Sequence, residues 1–194
     1  MSHSSYELLA HDPQVKTKAQ TRISNGEPVN ILKAAAFDLG NTIIGQGITP
    51  VPGVIDALQA LRERGLILVV ASNADVPVEH SLAMLEQTGL RQYFTHVFNS
   101  YSLGVSKPDA RFFHKIFTTL KIQPHECVMI GDSVYADIQG AKKVGMSAIW
   151  YAPLQNNPDS SAADGVIIHM QFLVPLIEKI DAHLYSIHQS ANQS

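Results

Sequence analysis

Short apolar runs alternate with longer amphipathic stretches from about residue 31 to the end of the chain. The apolar runs at Ile31–Phe37, Leu66–Ala71, Val97–Asn99, Cys127–Ile130 and Ser147–Tyr151 have the length and continuity of strands buried on both faces, and Gly165–Ile168 reads as another. Between them, Pro52–Arg64, Val78–Thr88, Asp109–Lys121 and Tyr135–Val144 read as helices. Their punctuation agrees: Pro52 stands near the start of the first, Asp109 is an N-cap for the third, and Gly65, Gly89 and Gly145 follow helix ends. Phe172–Ile187 closes the pattern as a helix, with Leu173, Leu176, Ile177, Ile180 and Leu184 at helical spacing. This alternation predicts an α/β fold with three layers, a mostly parallel central sheet covered by helices on both faces. We divide the chain into an N-terminal arm or extension (1–30), a core (31–187) and a C-terminal tail (188–194). Asn156–Ala163 is a polar loop near the rim.

The composition permits one full core and narrows the function classes. The chain has 194 residues, 45% hydrophobic and 16% charged, enough for a single well-packed domain. A net charge of -3 provides no general attraction to nucleic acid or anionic membrane. The apolar runs are too short to span a bilayer, and Met1–Ala10 lacks the basic start and long apolar stretch of a secretory leader. Cys127, the sole cysteine, is expected to be a buried core thiol. These features place the protein in the cytoplasm as an expectation. The nine histidines offer no pairing at zinc spacing.

Polar groups follow the strand-like runs in a regular way. Asp38 ends the first run, Ser72–Asn73 the second, Lys107–Pro108 comes after the third, and Gly131–Asp132–Ser133 with Asp137 follows the fourth. In a parallel sheet these ends lie on one side, where open α/β sheets bind ligands. Asp38 there can attack phosphorus and divide a hydrolysis into two steps. Asp38, Asp132 and the Gly40 carbonyl offer the oxygen ligands that Mg²⁺ prefers, and Asp137 either binds a metal-held water or holds Lys107. Ser72 and Lys107 would grip the transferring phosphoryl oxygens.

Taken singly, each of these motifs is a turn or a helix cap. As an ordered set they resemble the haloacid dehalogenase (HAD) superfamily of aspartate-nucleophile hydrolases. The resemblance rests on Asp38-Leu39-Gly40-Asn41-Thr42, Ser72-Asn73, Lys107-Pro108-Asp109 and Gly131-Asp132-Ser133-Val134-Tyr135-Ala136-Asp137. It implies a Rossmann-like HAD fold and a Mg²⁺-dependent phosphatase. Asp38 would be nucleophile and metal ligand, and Lys107 would balance charge. Ser72, Asn73, Lys107 and Thr42 would bind phosphate. Asp132 and Gly40 would complete the metal site, with Asp137 and Ser133 behind them. The partner it implies is a phosphorylated substrate.

Two departures from the family pattern stand out. Family phosphatases carry a general acid-base Asp two positions after the nucleophile, and here that position is Gly40. A positioned acid is worth roughly 10²- to 10⁴-fold in rate. The resemblance therefore implies a slow enzyme that favours leaving groups stable as anions, unless Asp75, His80, His11 or Asp12 replaces the acid. The alternative is a catalytically silent domain that binds a phosphorylated ligand or a protein partner. The second departure is the absence of room for a cap domain. The site should then be open, suited to a large substrate or closed by a second copy of the chain, with Gln46, Gly47 and Ile48 on a flap above it. Dehalogenase chemistry fits less well, because the family's dehalogenases use cap residues with no counterpart here.

Overall fold

Residues 30–154 and 162–191 are described by the computed structural model. The N-terminal extension before residue 30, including His11 and Asp12, and most of the Asn156–Ala163 loop lie outside the described residues. In chain order the strands are β1 (Ala34–Phe37), β2 (Ile44–Gly45), β3 (Thr49–Pro50), β4 (Ile67–Ser72), β5 (His96–Asn99), β6 (Cys127–Gly131), β7 (Ser147–Tyr151) and β8 (Gly165–Ile167). The helices are α1 (Val54–Glu63), α2 (Val78–Gln87), α3 (Ser100–Leu103), α4 (Ala110–Leu120), α5 (Gly140–Lys143) and α6 (Leu173–Ala191).

Six strands form one sheet in the order β5-β4-β1-β6-β7-β8, and every neighbouring pair is parallel. The chain steps outward from β1 through β4 to β5, then returns to the other edge of β1 with β6. The order reverses between β1 and β6, so a crevice opens beyond their carboxyl ends. Asp38 and Asp132 leave β1 and β6 at that point.

The period of two along each strand sorts the core into two layers. Ala35, Phe37, Leu68, Val70, Val128 and Ile130 face one side with Val54, Leu58 and Leu61 of α1, Leu85 of α2, and Leu173 and Ile177 of α6. Ala34, Ala36, Val69, Ala71, Met129 and Ala148 face the other with Phe112, Phe113, Ile116 and Phe117 of α4. Small residues on the sheet there meet a helix of large ones, which lets the two interlock at ordinary interior density. Cys127 is fully buried in this second layer, and burial pushes its thiol up to about 12.

The structure departs from the sequence expectation in four places. The expected flap at Gln46–Ile48 is flanked by two short antiparallel strands, β2 and β3, that the pattern did not predict. The segment 100–103 is a short helix, α3, capped by the Asn99 side chain accepting from the Ser102 N–H. The expected helix 135–144 begins as a π-helix over Val134–Gln139 and becomes α-helical only at Gly140. The closing helix runs to Ala191, into the stretch set apart as a tail from residue 188. The connections around the site are short. Between β1 and α1 lies only the flap, and between β4 and β5 only α2 and a 3₁₀ turn at Arg91–Tyr93. Among the described residues no helix is long and apolar enough to cross a membrane.

Candidate active site

The cluster is built around one buried ammonium group. Lys107 is 3% exposed and sits in the chain just before α4. Its Nζ donates to Asp38 Oδ1 at 2.9 Å, to the Ala71 carbonyl at 2.5 Å and to Asp137 Oδ1 at 2.5 Å. Three protons meet three acceptors, so the ammonium is fully satisfied, as a buried charge must be. The backbone on either side is clamped as well. Asn73 Oδ1 accepts from the Lys107 N–H at 2.9 Å, and Asn73 Nδ2 donates to the Lys107 carbonyl at 2.9 Å. The Asn73 side-chain amide is thus engaged with Lys107 and acts on the site by holding that lysine in place.

Asp137 owes its position to the π-helix. The Ile138 N–H reaches back five residues to the Ser133 carbonyl at 3.2 Å, and the Asp137 N–H reaches the same oxygen at 2.9 Å. This extra residue in the turn directs the Asp137 carboxylate inward, where Oδ2 accepts from the Ser133 N–H at 3.0 Å. Gly131 makes the approach feasible, since a Cβ there would run into the Asp137 carboxyl group. The Ser133 hydroxyl caps the turn by accepting from the Ala136 N–H at 3.1 Å. Of the two roles open to Asp137 in the sequence, the structure displays the hold on Lys107.

Asp38 lies at the mouth of the crevice, its N–H bonded to the Ile130 carbonyl at 2.9 Å. The buried Thr42 hydroxyl stands 3.4 Å from Asp38 Oδ2. Ser72 is buried at the end of β4, its hydroxyl only loosely engaged at 3.4 Å from the Asn73 carbonyl. Asp132 is half-buried and takes a hydrogen bond from the Asn41 side chain. Asn41 adopts the left-handed conformation, φ 57°, and its N–H closes a turn onto the Ile44 carbonyl at 2.8 Å. Trp150 Nε1 donates to the Asp132 carbonyl at 3.0 Å. Asn41 and Trp150 are site residues beyond the sequence expectation. Asn41 lies inside the first motif and belongs to a residue type that tolerates left-handed backbone, which was the available signal. The Trp150 contact bridges two strands and leaves no mark in the local sequence.

The electrostatics report a shortage of positive charge. Burial raises Asp137 to about 6, and the Asp38 charge adds to this while Lys107 opposes it. Burial also raises Asp132, again with help from Asp38. Burial would lower Lys107, but Asp38 and Asp137 outweigh it and hold the ammonium above its ordinary value. Oxygens of Asp38, Asp132 and Asp137 lie within 4.8 Å of one another. Three carboxylates face one ammonium, leaving two unbalanced negative charges. An all-oxygen donor set with that excess fits a hard dication such as Mg²⁺.

The other side of Asp38 is empty. Gly40 is exposed, and a Cβ built on it would meet nothing within 4 Å. Asp75 and His80 are both exposed, on the loop after β4 and on α2, and neither is among the partners described for Asp38, Lys107 or Asp132.

Residues 11–145 match a family model for haloacid dehalogenase-like hydrolases. Pyrimidine 5'-nucleotidase PynA of Streptococcus pneumoniae is 37% identical over 124 residues, 62% of this chain and 52% of its own length. A glyceraldehyde 3-phosphate phosphatase of Pyrococcus furiosus is 31% identical over 145 residues, 72% of this chain and 59% of its own. The chain thus spans little more than half the length of these relatives. Among solved structures, a HAD phosphatase from Thermococcus onnurineus superimposes with a TM-score of 0.60 at 30% identity, over 66% of this chain and 58% of that one.

Proposed function

The chain belongs to the haloacid dehalogenase-like hydrolases, and we propose that it is a Mg²⁺-dependent phosphatase working through a phosphorylated Asp38. The observation that carries this is the Lys107 ammonium held between Asp38 and Asp137, with Asp132 alongside. That arrangement orients Asp38 at the mouth of the crevice, as a nucleophile requires. Asp38 attacks phosphorus, the bond to the leaving oxygen breaks with its electron pair, and an aspartyl phosphate remains. Water then attacks that phosphorus, releasing phosphate and restoring the carboxylate. Ser72 and the turn at Thr42 are suited to orient the phosphoryl oxygens. Asp38, Asp132 and the Gly40 carbonyl would hold Mg²⁺, which when bound supplies charge against the transferring group.

Gly40 sets the scope of the reaction. The relatives' names refer to a nucleotide and a triose phosphate, whose leaving oxygens are alkoxides that need a proton. With no acid at position 40, this chain favours esters whose leaving group is stable as an anion. The open site takes a large substrate or is closed by a second copy of the chain, and we place the reaction in the cytoplasm. The test is hydrolysis of an aryl and an alkyl phosphate with Mg²⁺ or chelator, beside Asp38→Asn. Mg²⁺-dependent aryl hydrolysis lost in Asp38→Asn supports the proposal. Absence of turnover by folded protein overturns it and favours the silent binding domain to which Gly40 also points.

A further inference from the structure

We infer that the substrate is an aryl phosphate monoester, its ring held by an apolar rim around Asp38. This rests on the phosphatase reading and narrows it. Three observations on the same side of the sheet carry it.

The first is the rim. Each segment that brings a site residue out of the sheet also carries an exposed apolar side chain: Ile48 after Asp38, Val76 after Ser72, Tyr101 after Asn99 and before Lys107, and Tyr135 after Asp132. Tyr101 and Tyr135 are 58% and 65% exposed. Two of these segments are laced together. Ser100 Oγ bonds the Ala74 N–H and carbonyl at 2.9 and 3.1 Å, and Asn99 Nδ2 donates to the Val76 carbonyl at 3.2 Å. Single exposed apolar residues need no explanation, but here each of four segments that leave the carboxyl ends of neighbouring strands carries one.

The second is backbone strain at the flap. Ile48 has φ 53°. A β-branched residue in the left-handed region is a true outlier, and such strain concentrates at functional sites. A glycine would meet the turn's backbone requirement without cost, yet the flap tip holds up an apolar side chain.

The third is charge. The segments 38–53, 73–77, 100–109 and 132–135 contain a single Lys or Arg, Lys107. All three of its ammonium protons are engaged. Arg111, just beyond, is tied to Asp109 at 2.7 Å. A leaving group bearing a second phosphate or a carboxylate therefore finds no free cation in these segments. Acyl phosphates and phosphoanhydrides satisfy the leaving-group requirement of Gly40, but they give the apolar rim nothing to hold. An aryl group satisfies both. In the step itself Asp38 bonds to phosphorus, the P–O(aryl) bond breaks onto oxygen, and the aryloxide departs as an anion that takes its proton from water.

The test compares kcat/KM for phenyl phosphate, acetyl phosphate and pyrophosphate in the full chain with Mg²⁺. Because acetate leaves far more readily than phenoxide, the aromatic contact is read in KM, expected to be about ten-fold lower for phenyl phosphate than for acetyl phosphate. The double variant Tyr101→Ala/Tyr135→Ala should lower the phenyl-to-acetyl ratio of kcat/KM by a similar factor through KM, and Phe at both positions should restore it. Ile48→Gly should raise KM for phenyl phosphate without lowering the unfolding midpoint, which separates a binding role from a structural one. A phosphotyrosyl peptide run beside phenyl phosphate distinguishes a ring on a polypeptide from a free aryl ester, and either preference supports the inference. Equal KM values for acetyl and phenyl phosphate, or a ratio unmoved by the double variant, overturn it while leaving the phosphatase intact. No turnover of any of the three overturns both.

Discussion

The two flanks of Asp38 differ as sharply as any two regions of the molecule. On one flank Lys107 is buried, gives each proton to a named acceptor, and has its backbone clamped from both directions by Asn73. On the other, Gly40 faces open space. In the reaction proposed above, the first flank would serve the bond made to phosphorus and the second the bond broken. On the proposed reading the rigidity of the site lies with the phosphoryl group, and position 40 offers the departing oxygen no proton donor. Catalysis of this kind depends on which leaving groups can depart unaided.

Removing the nucleophile should have the largest effect. Asp38→Asn is expected to lower kcat on an aryl phosphate by on the order of 10⁴-fold or more, with folding retained by circular dichroism. A modest loss would place the nucleophile elsewhere. The contrast itself is tested by filling the empty flank. Gly40→Asp should raise kcat/KM on an alkyl phosphate by roughly 10²- to 10⁴-fold and on an aryl phosphate far less. An equal gain on both would show that the acid was never the missing part.

Stability should divide along the same line. Asp137→Ala leaves the buried ammonium with one carboxylate fewer and should cost about 3 kcal/mol in urea unfolding. Gly40→Ala, on the exposed flank, should change stability by no more than about 0.5 kcal/mol. Comparable losses in the two variants would remove the distinction.

The smallest effect is a pH trend in chelated protein. Asp137 stands at about 6 in the fold against its ordinary 3.8. Between those values the folded state keeps a proton that the unfolded state sheds, so stability falls as pH rises from about 4 to about 6 and then levels. Asp132 shifts in the same direction. Asp109, lowered to about 2 by its hydrogen bonds with Arg111, acts in the opposite sense and only below about 4. Urea midpoints across this range should show the decline, and excess Mg²⁺ should flatten it. A rising midpoint would mean that the cluster is not short of positive charge.

The same contrast governs what could be read from the sequence. The strands were legible because a sheet buried on both faces needs continuous apolar runs, and Ala34–Phe37 and Cys127–Gly131 are such runs of strand length. Asp38, Lys107, Asp132 and Asp137 were legible because they follow such runs in order. Residues whose role depends on a distant partner were not. The two-residue strands β2 and β3 are too short to carry a period. The π-turn around Asp137 shifts hydrogen bonds by one residue without altering the residue pattern. The Asn73 clamp spans 34 positions, and nothing near Asn73 in sequence announces it.

The Trp150–Asp132 contact gives the site a gauge of its own. Trp150 is the sole tryptophan in the chain, so all the indole emission of the protein comes from a ring whose N–H rests on the backbone of a proposed metal ligand. An ion settling on Asp132 pulls on that carbonyl and alters the polarity around the ring. Emission wavelength against added Mg²⁺ would then give a binding curve without label, substrate or turnover, and Asp132→Ala should abolish it.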